Sequence, residues 1–185
     1  MIERKGAFKH GEKNFRKRLG SIRNRIRMYG NEPCIRNCID RKRGRGLIDK
    51  AIDCGCTFFD TAEIYGTAED PHHNEKLLGK ILKPYRNKIV LASKCGIRFD
   101  ETATTVNKPL IPDGRPETIK SSIDGSLKRL NTDHLDLYYI HRIDPTVPIE
   151  ETAGAMKELI EQGKITHWGL SEADEDTIRR ANKVC

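Results

Sequence analysis

Five side chains able to do acid–base or polarising chemistry stand at or just beyond the ends of short apolar runs. Asp60 closes Thr57-Phe58-Phe59, Lys94 follows Ile89 to Ser93, His141 follows Leu135 to Ile140, and Ser171 follows Ile165 to Leu170. Tyr65 lies in the loop after the first of these runs. A phenol is a poor acid near neutral pH, with an ordinary pKa of about 10. A lysine ammonium beside it stabilises the phenolate, and a carboxylate orients and neutralises that lysine. A neighbouring imidazole polarises a carbonyl or shares the proton. Together they would donate a proton to a developing alkoxide, which is the acid half of a carbonyl reduction. The hydride must come from a cofactor, because no side chain supplies one. Taken singly, each residue has an ordinary structural reading: a turn or cap for Asp60, a solvated Lys94, a hydrogen-bonded His141, a packed Tyr65. They carry a function only if one topology brings them together.

The elements between them supply such a topology. Apolar residues at 47, 48, 51 and 52 mark one face of a helix that ends at Gly55. Residues 57–60 and 89–94 read as buried strands, with a helix between them that Asn74 would cap and whose apolar face is Leu77, Leu78, Ile81 and Leu82. Residues 100–115 read as a polar loop with turn residues Pro112, Asp113 and Gly114. Pro116 opens a helix to about Asn131. A strand over 136–141, a helix over 150–162, a strand over 165–170 and a helix over 174–184 complete the pattern. Strands alternating with helices, without hairpin signals between them, imply parallel pairing through crossovers and an α/β fold. All strand C-termini then face one side, so Asp60, Lys94, His141 and Ser171 converge there, with Tyr65 in the adjoining loop.

Charge divides the chain differently. Residues 1–46 hold 15 Lys and Arg against four acids, whereas the rest carries a small negative excess. That first segment has scattered apolar residues and basic runs such as Arg41-Lys42-Arg43, so it reads as a poorly structured or aberrant arm. Such a charge would attract phosphate, but Phe8, Phe15 and Tyr29 are not spaced as a stacking platform and no recognition motif accompanies them, so no specific nucleic-acid partner is expected. The six cysteines are spaced C-x3-C and C-x-C in their two pairs, and His72 and His73 are adjacent and should diverge. Neither pattern suits a metal site, and reduced thiols in a cytoplasmic protein are the expectation. No apolar run is long enough for a membrane span, and no secretory leader is evident.

Several segments, in order and at this spacing, resemble the aldo-keto reductases. They are Gly55-Cys56-Thr57-Phe58-Phe59-Asp60-Thr61-Ala62-Glu63-Ile64-Tyr65-Gly66, Asn74-Glu75-Lys76-Leu77-Leu78-Gly79, Ile89 to Lys94, and Ser126-Leu127-Lys128-Arg129-Leu130. Asp136 to Arg142 and Gly163 to Glu172 continue the series. The His141-Arg142 pair is similar to the bacterial- and plant-like branch. The resemblance implies a barrel of the triose-phosphate-isomerase type, NADPH as cofactor, and a small-molecule carbonyl substrate. It implies a catalytic tetrad of Asp60, Tyr65, Lys94 and His141, with Tyr65 as proton donor. It also implies cofactor contacts from Asp60, from Ser171 to the nicotinamide carboxamide, and from Glu172. The resemblance runs over 47–185 and not over 1–46. A complete eight-stranded barrel takes about 250 residues, so the expectation is a partial barrel of four to five parallel βα units. No basic loop for the cofactor's phosphates follows Ser171. A barrel remnant that catalyses nothing and at most associates with a partner chain is therefore the alternative.

Overall fold

The computed structural model describes residues 25–27, 41–105 and 108–184 of the 185. Its centre is a five-stranded parallel sheet. In chain order the elements are β1 (Arg25–Arg27), α1 (Arg41–Asp53), β2 (Phe58–Asp60), α2 (His73–Leu82), a 3₁₀ segment (Lys83–Lys88), β3 (Val90–Cys95), β4 (Ile97–Phe99) and β5 (Leu110–Pro112). Then follow α3 (Pro116–Leu130), β6 (Leu137–Ile140), α4 (Ile149–Glu161), β7 (Trp168–Leu170) and α5 (Glu175–Asn182). The sheet runs β1-β2-β3-β6-β7, and every neighbouring pair is parallel. The four strands expected from the sequence are thus adjacent and in sequence order.

Strand register decides which side chains meet. Phe58 pairs with Val90, Asp60 with Ala92, Ala92 with Leu137 and Lys94 with Tyr139. Alternate residues point to opposite faces, so Phe58, Val90, Ala92, Leu137 and Tyr139 form one small apolar cluster. Phe59, Leu91, Tyr138 and Ile140 join the larger core, which also takes Ile48, Leu78, Ile81, Ile119, Ile123, Met156 and Leu159 from α1 to α4. The helices cover that second face. Helices α2 and α3 approach closely because Gly79 has no Cβ: one built there would lie 2.1 Å from the Arg129 carbonyl oxygen. Helix α5 starts on Asp174, whose carboxylate accepts the Thr177 amide at 2.8 Å and so satisfies a free helix donor. No helix among the described residues is long and apolar enough to cross a membrane.

Four local expectations need correction. The basic segment 1–46 contains a strand, Arg25–Arg27, paired with β2, and helix α1 begins at Arg41 rather than Leu47. A three-residue edge strand is too short to show periodicity, and Arg and Lys are good helix formers, so a charged run extends the amphipathic stretch by nearly two turns. The remaining residues of that segment lie outside the described ones. The polar loop over 100–115 is partly a hairpin, in which β4 and β5 pair antiparallel with Phe99 opposite Leu110 and Ile97 opposite Pro112. Proline is tolerated there because a two-stranded ribbon is all edge. The fourth strand is shorter than expected, since Ile165 makes only an isolated parallel bridge to Leu135 before β7 begins at Trp168. Asn74 does not cap α2; it lies inside the first turn and accepts the Thr61 hydroxyl at 2.6 Å.

Candidate active site

Asp60 is the last residue of β2 and Lys94 the penultimate residue of β3, and both are buried. Asp60 pairs with Ala92 in the ladder, so Lys94 lies two residues further along β3 on the same face. Its ammonium donates to the Asp60 carboxylate at 2.8 Å and to the Thr61 carbonyl at 2.7 Å. Neither charge is exposed to water beyond 5 % of its side chain. An ion pair so dry persists because each member satisfies the other and a backbone acceptor takes a further proton of the ammonium.

Tyr65 is brought over this pair by the loop after β2. The Thr61 amide donates to the Ala92 carbonyl at 2.9 Å and the Glu63 amide to the Lys94 carbonyl at 3.1 Å, so the loop continues along β3. It then turns back: the Tyr65 amide donates to the Ala62 carbonyl, and the Asn74 amide to the Tyr65 carbonyl at 3.1 Å. Gly66 permits the turn, because a Cβ there would lie 2.0 Å from the Asp70 carbonyl oxygen. Lys94 Nζ consequently lies 4.8 Å from the centroid of the Tyr65 ring. The hairpin adds to the packing of this loop, with Phe99 and Leu110 against the cluster of Ala62, Ile64 and Tyr65.

His141 is the first residue after β6. Its amide donates to the Cys95 carbonyl at 2.8 Å, which fixes it level with the end of β3. The ring stands edge-on to Tyr65, with centroids 5.7 Å apart and planes at 77°. Asp60, Tyr65, Lys94 and His141 are therefore one contiguous group, as the sequence pattern expects. Ser171 follows on the next strand: its amide donates to the Ile140 carbonyl at 3.0 Å, one residue before His141. Glu172 is different. It is exposed, its carboxylate is 3.5 Å from Arg142 Nε, and its backbone is left-handed with φ 56°. The adjacent histidines do diverge, His72 Nδ1 to the Glu63 carbonyl at 2.6 Å and His73 Nδ1 towards Asp70 at 3.4 Å.

Behind the site, on the helix-covered face of β3, lies a second polar group that residue types did not single out. The Glu75 carboxylate is fully buried; it accepts from Arg129 Nε at 2.6 Å and from the Ser93 hydroxyl at 2.6 Å. Glu63, also buried, has Arg129 4.0 Å away, and the polar Ser122 side chain and Gly96 backbone favour its charged form. Burial, aided by the nearby Glu75 charge, raises the Glu63 carboxyl to about 7 against these polar neighbours and Arg129, which lower it. Burial also pushes up the Cys95 thiol and the Tyr138 hydroxyl, which face each other beside these carboxylates.

The model of the aldo/keto reductase family matches residues 29–185. The chain belongs to the aldo/keto reductase family. The match begins within the segment that the sequence resemblance left out. A probable aldo-keto reductase of Glycine max is 44 % identical over 147 residues, covering 79 % of this chain and 40 % of its own length. An aldo-keto reductase of Gibberella moniliformis is 41 % identical over 150 residues, covering 80 % of the chain and 42 % of its own length. Among solved structures, the glycerol dehydrogenase of Gluconobacter oxydans superposes with a TM-score of 0.69 at 30 % identity, over 78 % of this chain and 42 % of that one. An aldo-keto reductase of Klebsiella pneumoniae in complex with NADP and acetate superposes with a TM-score of 0.61 at 26 % identity, over 84 % and 47 %. The chain thus spans two fifths to about half of these relatives, and its parallel βα units correspond to that part of an aldo-keto reductase barrel.

Proposed function

We propose that this chain carries the proton-donating centre of an NADPH-dependent reductase that converts aldehydes or ketones to alcohols. The observation that carries the reading is the dry Lys94 ammonium, held by Asp60 and lying against the Tyr65 ring. Tyr65 gives its hydroxyl proton to the oxygen of the carbonyl as that oxygen gains charge. Lys94 stabilises the phenolate left behind, and Asp60 keeps Lys94 charged and aimed. His141, edge-on to Tyr65, orients the carbonyl oxygen from the other side.

The nicotinamide, when bound, supplies the hydride that no side chain can. The donor set fits its polar end: Ser171 offers a hydroxyl at the same end of the sheet, one strand from His141, and Asp60 and Glu172 are the other expected contacts. An NADP complex is known for the Klebsiella pneumoniae relative, which supports the choice of cofactor. The substrate is a small carbonyl compound whose oxygen lies beside both Tyr65 and His141.

A steady-state assay with NADPH and a reactive aldehyde such as 4-nitrobenzaldehyde tests the reading, with cofactor binding followed separately through Trp168, the one tryptophan of the chain. Binding with turnover that Tyr65→Phe abolishes supports it. Turnover indifferent to Tyr65→Phe removes the assignment of the donor. The second reading is a barrel remnant without catalysis that associates with another chain. It is favoured by the ends of the sheet, where β1 and β7 each have one neighbour among the described residues and so offer free backbone groups to a further strand. Cofactor binding absent from the isolated chain, with assembly visible by sedimentation, would select that reading.

A further inference from the structure

The segment from Thr61 to Tyr65 is tied at both ends to one residue, Asn74. The Asn74 side-chain oxygen accepts the Thr61 hydroxyl at 2.6 Å, and the Asn74 backbone amide donates to the Tyr65 carbonyl at 3.1 Å. That amide is available because Asn74 lies in the first turn of α2, where helix N–H groups lack intrahelical partners. Thr61 is also the residue whose carbonyl accepts Lys94 Nζ at 2.7 Å. The carbonyl that holds the ammonium and the residue whose ring lies beneath it are thus both fastened to the same point of α2. We infer that Asn74 is a positioning residue, which clips Thr61 and Tyr65 to α2 and so keeps the Tyr65 ring and the Lys94 ammonium in register. For its functional meaning this role rests on Tyr65 as the proton donor.

The side-chain half of the clip decides the geometry. The Thr61 amide donates to the Ala92 carbonyl at 2.9 Å, which sets the height of Thr61 along β3. The hydroxyl bond to Asn74 is a second anchor, and it stops the peptide that presents its carbonyl to Lys94 from turning. Thr61 is fully buried and Asn74 nearly so, so no water replaces a lost partner. An amide oxygen accepts without adding charge, which leaves the buried Asp60–Lys94 pair balanced. The backbone half of the clip survives any side chain at 74 except proline, so the two halves can be separated by substitution.

The test is NMR of the full chain labelled with carbon-13 and nitrogen-15. It follows the Lys94 ammonium and the methylene that bears it, assigned through the Lys94 backbone. A cation over a ring face is shielded, so the parent should show these protons upfield of the other lysines. Thr61→Val, which keeps the shape and loses the donor, and Asn74→Ala, which loses the acceptor, should each move them downfield. Thr61→Ser keeps the donor and should restore the upfield position. Thr152→Val is the control for mere loss of stability: it removes another buried hydroxyl bond, to the Gly114 carbonyl at 2.8 Å, away from Lys94. Where the parent turns over, kcat should fall by about ten- to a hundredfold in Thr61→Val, with NADPH quenching of Trp168 retained. A Lys94 signal unmoved by Thr61→Val and Asn74→Ala, moved equally by Thr152→Val, or lost in Thr61→Ser overturns the clip. So does loss of the fold in both Thr61→Val and Asn74→Ala, which would make the bond a requirement of folding, and so does a moved signal with kcat unchanged. Turnover that survives Tyr65→Phe would instead remove the proton-donor reading and leave the clip standing.

Discussion

Strand β3 separates two buried polar groups that differ in how their charge is balanced. On one face Lys94 meets one carboxylate, Asp60, and a carbonyl. On the other face Arg129 meets two, Glu75 at 2.6 Å and Glu63 at 4.0 Å. Ser93 and Lys94 are neighbours in sequence, yet the pleat sends one to each group. The balanced side holds its charges at a fixed geometry, which suits the role proposed for Lys94, keeping a phenol acidic. The unbalanced side has two carboxylates for one guanidinium, and burial leaves Glu63, the more distant of the two, with its carboxyl raised to about 7.

The largest expected effects fall on the balanced side. Tyr65→Phe removes the proposed donor while keeping the ring, and Lys94→Met removes the charge beside it. Positioned acid–base groups contribute on the order of 10² to 10⁴ in rate, so each should lower turnover by about that factor in the NADPH assay. Trp168 quenching by NADPH should survive Tyr65→Phe. If Tyr65→Phe and Lys94→Met differ by more than about 100-fold in kcat, the two residues do not act as a unit and the comparison needs redrawing.

The second effect is on stability and belongs to the unbalanced side. Arg129→Met leaves Glu75 and Glu63 facing each other without a cation. Removing one member of a buried pair typically costs about 3 kcal/mol or more, and Glu75 has no exposed surface through which water could compensate. The denaturant midpoint should fall accordingly at pH 8. A loss below about 1 kcal/mol would mean that Glu75 simply takes up a proton and that the guanidinium is not needed.

The contrast also explains what the sequence reveals and what it hides. Asp60, Lys94 and His141 are legible because each interrupts an apolar run at its end, and parallel topology then places them together. Glu75 and Arg129 are hidden because their positions look ordinary: an acid in the first turn of α2 and a base in the last turn of α3 are what helix dipoles favour on any exposed helix. Their partnership spans 54 residues of sequence and depends on the close approach at Gly79, which no local pattern announces. The β4–β5 hairpin is hidden for another reason. Strands of three residues carrying Arg98 and Pro112 show too little alternation to be distinguished from a loop.

A third prediction follows from the proton on Glu63. In the folded chain its carboxyl titrates at about 7, against an ordinary value of 4.5. Between those values the folded state binds more protons than the unfolded state, so stability falls as pH rises through that window and is level above it. The span corresponds to roughly 3 kcal/mol at most. Glu63→Gln removes this ionisation, so its stability should be flatter from pH 4.5 to 7 and higher than the parent's at pH 8. Urea unfolding at a series of pH values measures it. Parallel curves for the two proteins would show that Glu63 stays ionised throughout and that the two faces of β3 are alike in charge balance after all.

The smallest expected effect is at the rim, on Glu172. Asp60, Tyr65, Lys94 and His141 have no left-handed backbone among them, whereas Glu172 sits at φ 56°. Holding a non-glycine residue there costs on the order of 1 kcal/mol. Glycine removes that cost but gives the unfolded chain more freedom, worth about 0.5 to 1 kcal/mol in the opposite direction. It also removes the exposed pair with Arg142, where 3.5 Å separates groups that are half or more in solvent and whose contribution is small. The three terms nearly cancel, so Glu172→Gly should change the unfolding free energy by less than about 0.5 kcal/mol. Glu172→Val pays the full steric penalty of a β-branched residue at positive φ and should be clearly less stable than the glycine variant. NADPH affinity, read through Trp168, then reports the carboxylate by itself: weakening shared by both variants points to the side chain. Weakening in Glu172→Val alone points to the backbone turn that presents Ser171.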